Sequence, residues 1–121
     1  MSQQKIPPEV QQLLTQYQVL RENYARIDSE LRLLEAELVE IDQVLDTVKS
    51  AEEGTELYKI VGHILVKKNR DEIIKELEER KELLGIKKEK YRNQLKALEK
   101  QISELDSKIK EVLARYGVKI G

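Results

Sequence analysis

Side chains that could carry out acid–base or metal chemistry are few in this sequence and do not form a group. The 121 residues include one histidine, His63, and no cysteine. A general acid or base needs a partner that fixes its proton, and a zinc site needs three or four protein ligands. His63 directly follows Gly62 in a predicted tight turn, and the five glycines are too scattered to form a phosphate-binding loop. We therefore expect no enzyme activity, no metal site and no cofactor.

Acidic and basic residues make up 37% of the chain and nearly balance, leaving a net charge of −1. This balance gives no electrostatic attraction to nucleic acid or to an anionic membrane. The absence of cysteine fits a reducing compartment, and no apolar run has the length of a membrane span or of a signal peptide. We expect a soluble, cytoplasmic protein. The densest basic cluster, which we interpret as a solvated or paired helix face, consists of Lys87, Lys88, Lys90 and Arg92, interrupted by Glu89.

Two long segments carry apolar residues at alternating steps of three and four, which is the spacing of a coiled-coil seam. The first segment follows Pro7 and Pro8, which favour a helix start, and the second begins with a capping-box sequence at Asn69 and Glu72. Gly117 predicts the end of the second helix. We predict a mainly α fold in one domain, residues 1–121, with helices at about 8–50 and 70–116 and a short C-terminal tail at 117–121.

The two seams consist almost entirely of apolar residues and tyrosine, with Lys81 and Lys88 as exceptions in the second. A chain that folds back on itself pairs them in an intramolecular antiparallel coiled coil, which we favour over two separate parallel dimers. Residues whose numbers sum to about 122 then share a layer, as Val10 does with Val112. Flanking charges support this register. The attractive pairs are Arg21 with Glu99, Asp28 with Arg92 and Glu37 with Lys87, against one repulsive pair, Asp42 with Glu78.

A short stretch between the helices has the composition of a single β-hairpin, at about residues 56–68 with its turn at Gly62. Both of its faces are predicted to be apolar, and an isolated hairpin is at best marginally stable. No other predicted sheet in the chain could cover it, so we predict that other chains do. One alternating set of positions comprises Tyr58, Ile60, Ile64 and Val66, and the other positions of this assembly interface are Leu57, Val61 and Leu65.

The helix ends remote from the hairpin carry more apolar residues than a two-stranded seam can bury. One interpretation is ordinary fraying with a hydrophobic staple. The other is an exposed apolar tip that binds proteins, and non-native chains in particular, because a surface with few directional polar groups can repack around many sequences. The candidate client-binding residues are Ile6, Val10, Leu13, Leu14, Val112, Leu113, Tyr116, Val118 and Ile120.

A long helix, a short hairpin and a second long helix that folds back resemble the prefoldin family. Residues 56–68 and 71–80 are similar to the hairpin and the second-helix start of the archaeal prefoldin beta subunit, and the resemblance covers essentially the whole chain. The single hairpin is similar to the beta type rather than to the alpha type.

This resemblance implies a hexamer of two alpha and four beta subunits, with the hairpins in multi-subunit β-barrels and six coiled coils projecting from them. It also implies an ATP-independent holdase and co-chaperone whose tips capture unfolded proteins and deliver them to a group II chaperonin. The alternative is a structural coiled-coil adaptor that assembles through its hairpin without binding clients.

Overall fold

The structure, a computed structural model, describes residues 6–117 as two long helices joined by a two-stranded antiparallel sheet. The predicted fold class, two helices with one intervening hairpin, is therefore confirmed. The elements are α1 (Pro8–Ser50), β1 (Leu57–Val61), β2 (Ile64–Lys68) and α2 (Arg70–Arg115).

The last helix ends in a tight turn at Gly117. The backbone N–H of Tyr116 donates to the carbonyl of Leu113 at 3.1 Å, and that of Gly117 donates to Ala114 at 3.0 Å. Gly117 has a φ of +75°, which a residue without Cβ adopts without steric cost. The helix therefore stops at Arg115, one residue before the predicted end, because Tyr116 already belongs to the turn.

The chain divides into two compact units, and each contains part of both helices. Unit 1 consists of residues 1–30 and 91–121, and unit 2 consists of residues 31–90, which include the hairpin. Of unit 1, the structure describes residues 6–30 and 91–117.

The core of unit 1 lies where the first turns of α1 meet the last turns of α2. Val10 and Val112 are each 1% exposed and belong to one cluster with Leu13 and Ile109. The predicted layer that pairs Val10 with Val112 is therefore confirmed. At the edge of the seam the hydroxyl of Tyr24 donates to Glu99 Oε1 at 3.0 Å, and this bond to a carboxylate is the main reason that the pKa of Tyr24 is raised.

The core of unit 2 is asymmetric, because α1 contributes most of its buried side chains. The only fully buried apolar residue that α2 adds among residues 31–90 is Leu84. The seam positions on either side of it are Lys81, which is exposed, and Lys88, which is half-buried. The α1 residues of this core are Leu31, Leu34, Ile41, Leu45 and Val48.

Ion pairs along unit 2 correct two of the predicted pairings. Asp42 Oδ1 lies 2.7 Å from the ammonium of Lys81, so Asp42 meets a cation where repulsion from Glu78 was predicted. Glu78 instead accepts from Lys49 at 3.1 Å. Glu37 binds both Nε and Nη2 of Arg80, at 3.2 and 3.1 Å, and not the predicted Lys87. The prediction overlooked Lys81, which shares the layer of Asp42 in the predicted register. It also did not allow for the reach of the long Arg80 side chain to Glu37 in a neighbouring layer.

A seam lysine gives a direct test of this asymmetric packing. Replacing Lys88 by Leu is expected to raise the free energy of unfolding by about 1 kcal/mol, because an apolar side chain then fills a half-buried seam position. The adjacent, exposed Lys87 provides the control, and Lys87→Leu is expected to change stability by less than about 0.5 kcal/mol. Denaturant unfolding followed by circular dichroism measures both, and equal effects of the two substitutions would contradict the seam assignment.

Candidate functional site: the hairpin and the free helix ends

The hairpin turns through two residues, Gly62 and His63. The last strand pair is Val61 with Ile64, and Gly62 has a φ of +61° whereas His63 does not have a positive φ. Glycine at the first turn position followed by a residue with negative φ is the pattern of a type II′ turn, which matches the twist of paired strands. His63 is exposed within this turn, in agreement with its interpretation as a turn residue.

The strand register corrects the predicted division of the hairpin into faces. Each pair across the strands joins an odd-numbered and an even-numbered residue, as Ile60 and Leu65 do. Because paired residues lie on the same face, the odd positions of β1 share a face with the even positions of β2. The prediction carried one alternation through the turn and therefore exchanged the faces of β2. The lysine face comprises Leu57, Lys59, Val61, Ile64, Val66 and Lys68, and the tyrosine face comprises Tyr58, Ile60, Leu65 and Lys67.

Both faces expose apolar side chains. Ile60 and Leu65 of the tyrosine face are 71% and 63% exposed, and Ile64 of the lysine face is 67% exposed. Of the seven residues predicted to form the assembly interface, the single half-buried one is Leu57. Contiguous apolar exposure of this kind is typical of surfaces that bind other proteins.

The lysine face is tied to α2 through two carboxylates, that of Glu76 and that of Glu72, whose Oε2 lies 3.9 Å from Lys68 Nζ. Glu76 accepts a hydrogen bond from Lys59 Nζ at 2.8 Å, and its other oxygen lies 3.6 Å from Lys68 Nζ. The bond from Lys59 is the largest reason that the pKa of Glu76 is lowered. A lowered pKa means that these contacts add stability above the ordinary carboxyl pKa and that this contribution is lost as the pH falls through the lowered value.

Arg70 anchors the base of the hairpin, a role that no sequence motif predicted. Its guanidinium Nη2 donates to the carbonyl of Ala51 and, at 3.0 Å, to that of Glu52, just beyond the end of α1. A cation is unfavourable in the first turn of its own helix and favourable near the carbonyl end of another. An arginine directly after the cap of α2 is unfavourable for its own helix, and this position was the signal that could have identified its role.

Asn69 caps the start of α2, as predicted. Its Oδ1 accepts the backbone N–H of Glu72 at 2.8 Å. The Glu72 carboxylate accepts from the Asn69 side-chain amide at 3.0 Å, where a standard capping box would use the Asn69 backbone N–H. The two interactions fix the point at which the chain leaves β2 for α2.

The predicted tip residues fall into three groups in the structure. Val10, Leu13 and Val112 are buried in the core of unit 1 and present almost no surface, and Leu113 is half-buried against the same core. The exposed side chains are Ile6 (50%), Leu14 (41%) and Tyr116 (55%). Val118 and Ile120 lie outside the described residues.

Residues 6–117 contain neither a metal-binding cluster nor a membrane-spanning helix. No group of three or more histidine or acidic side chains in this part of the chain is arranged to hold a metal ion. None of the described helices combines the length and the apolar character needed to cross a membrane.

Comparison with known proteins identifies the family that shares this fold. A protein-family model described as prefoldin subunit matches residues 11–116. The chain belongs to the prefoldin subunit family. Prefoldin subunits assemble with one another, and membership in the family implies a general role in protein folding as part of a molecular chaperone.

Individual prefoldin relatives match along nearly the whole chain. The chain is 37% identical to prefoldin subunit beta of Sulfolobus acidocaldarius over 113 residues, which are 93% of this chain and 90% of that protein. It is 40% identical over the same shares to prefoldin subunit beta of Saccharolobus islandicus. The crystal structure of the prefoldin beta subunit from Thermococcus strain KS-1 matches with a TM-score of 0.81 and 30% identity, covering 92% of this chain and 97% of that one.

Proposed function

We propose that this chain is a subunit of an ATP-independent chaperone that acts as a holdase and co-chaperone. Its hairpin joins it to a prefoldin alpha subunit and to further copies of itself, in a hexamer of two alpha subunits and four chains of this type. The free helix ends hold unfolded client proteins, and the complex delivers them to a group II chaperonin. The observation that carries the proposal is the exposed apolar surface of the hairpin, which has no partner of its own among residues 6–117.

The energetics of the hairpin favour association. Complete burial of a large aliphatic side chain contributes roughly 1.5–3 kcal/mol, and each face of the hairpin carries three apolar residues that are between 38% and 71% exposed. Association costs at least about 4 kcal/mol of translational and rotational freedom. The apolar surface of the hairpin is large enough to offset this cost, and closure into a β-barrel would also pair the free strand edges.

The free helix ends suit weak capture of many sequences. Ile6, Leu14 and Tyr116 are exposed apolar or amphipathic side chains near the ends of α1 and α2. A patch of three such residues binds weakly when it acts alone. Several patches carried by one assembly act together through effective concentration, which gives useful capture with rapid local release.

The remaining partners and the location follow from this role. The C-terminal tail and the exposed end residues are the proposed contact with a group II chaperonin, and the cytoplasm is the proposed location. The near-neutral net charge supplies no attraction to nucleic acid or to a membrane, and neither is proposed as a partner.

One observation favours the alternative function of a structural adaptor. Three of the nine predicted client-binding residues, Val10, Leu13 and Val112, are core residues, so the described part of the free ends offers fewer apolar side chains than the sequence predicted. An adaptor needs only the hairpin surface and no exposed apolar residues at the helix ends.

The native mass of the complex formed with the alpha subunit tests the proposal. We expect a hexamer with four copies of this chain, and we expect it to suppress aggregation of a denatured protein without ATP. A native dimer or open filament would contradict the assembly, whereas a hexamer that leaves aggregation unchanged would favour the adaptor. Transfer of a labelled client to a group II chaperonin then tests delivery.

A further inference from the structure

The two faces of the hairpin differ in where their charges lie. On the lysine face, Lys59 occupies the middle of β1, opposite Val66. On the tyrosine face, Lys67 lies at the base of the hairpin, opposite Tyr58, and the next pair toward the turn is the apolar pair Ile60 with Leu65. Lys59 therefore occupies the middle of the lysine face, whereas Lys67 occupies the base of the tyrosine face.

The polar side chains of each face also bind a different carboxylate. Glu76 binds Lys59 and Lys68, both of the lysine face, and Glu76 belongs to α2. On the tyrosine face, Glu56 accepts the Tyr58 hydroxyl at 2.8 Å and lies 3.6 Å from Lys67 Nζ. Glu56 directly precedes β1, so both polar groups of the tyrosine face are satisfied at its base.

A closed interior between strands tolerates the tyrosine face and not the lysine face. Taking a lysine ammonium and its carboxylate out of water carries a desolvation penalty that the ion pair often does not recover. If the lysine face lined such an interior, Lys59 would be buried there as well. Its carboxylate partner, Glu76, belongs to α2, and the bond between them turns the lysine face toward that helix. The Ile60–Leu65 pair of the tyrosine face carries no polar side-chain atom.

From these contacts we infer that the tyrosine face lines the closed interior formed with the hairpins of other prefoldin subunits, while the lysine face stays outside and is held toward α2 by Glu76. This inference rests on the proposed assembly through the hairpin and assigns its inner surface. The ion pairs of Glu76 and Glu72 with the lysine face then lie outside the closed interior.

Adjacent residues on opposite faces provide a matched test. Leu65→Gln places an amide on the tyrosine face, and Val66→Gln places the same amide on the lysine face, opposite Lys59. In the complex with the alpha subunit, we expect Leu65→Gln to raise the protein concentration at which the hexamer dissociates at least tenfold and Val66→Gln to change it less than twofold. Dilution series followed by native mass measurement give these concentrations, and circular dichroism checks that helix content is unchanged.

The outcomes separate the inference from the proposed function. Dissociation by Val66→Gln but not by Leu65→Gln, or equal dissociation by both, would overturn the assignment of faces and leave assembly through the hairpin standing. Hexamers unaffected by either substitution would overturn both. Ile60→Gln, opposite Leu65, should reproduce the Leu65→Gln result, and a wild-type dissociation curve for it would count against the inference.

Discussion

Simultaneous replacement of Ile6, Leu14 and Tyr116 by serine is expected to weaken suppression of aggregation at least tenfold while leaving the proposed assembly intact. The three side chains are about half exposed, so their removal costs little folding stability. Each contributes on the order of 1 kcal/mol when a client covers it. The loss of three at the free ends of all four copies multiplies through the proposed multivalent complex. Light scattering of a denatured protein at increasing concentrations of the complex measures the effect, and at least a tenfold higher concentration should be needed.

A matched control distinguishes the helix ends from exposed apolar residues in general. Leu33, Val39 and Val44 of unit 2 are 72%, 57% and 45% exposed on α1, and replacing them together by serine removes a comparable apolar area. This variant should protect as well as the wild-type complex does. Equal loss in both variants, or full protection by the first, would remove the free ends from the mechanism.

The second large effect is expected from Arg70→Met. The substitution keeps an unbranched side chain but removes the guanidinium that donates to the carbonyls of Ala51 and Glu52. Hydrogen bonds to charged groups contribute roughly 1.5–3 kcal/mol, so the free energy of unfolding should fall by about 2 kcal/mol. Because the same contacts fix the base of the hairpin, the hexamer should also dissociate at higher protein concentration than the wild type does.

Arg80→Met is the control for this prediction. Arg80 also makes two hydrogen bonds, but they go to the exposed carboxylate of Glu37. Exposed pairs contribute about 0–1 kcal/mol, so this variant should be close to wild type in both denaturant unfolding and assembly. If the two arginine variants were equally stable, Arg70 would have no special role at the hairpin base.

The sequence predicts the helices and the core layer well because both depend on a long repeat. A seam filled over many heptads is rarely produced by chance, and it places Val10 with Val112 in one layer without knowledge of any side-chain conformation. The cap at Asn69 is likewise local, because a side chain and a backbone N–H three residues apart decide it. Such features need no information from distant parts of the chain.

The predictions are wrong where the contacts depend on the number of residues in the turn or on the length of a side chain. The two-residue turn at Gly62 and His63 exchanges the faces of β2, which strand alternation alone cannot reveal. Glu37 selects Arg80 because a long guanidinium reaches beyond its own layer. At the free ends, Val10 and Val112 were predicted both to fill the seam and to bind clients, and they are core residues because the helix pair closes over them.

The sheet formed by β1 and β2 has only these two strands within residues 6–117, so each strand keeps one outward row of backbone N–H and C=O groups. Such rows recruit any extended chain that reaches them. A cell that makes this subunit in excess over its partners would therefore accumulate orphan copies whose edges pair with one another. We therefore expect balanced synthesis of this chain and its partner subunits to limit such pairing.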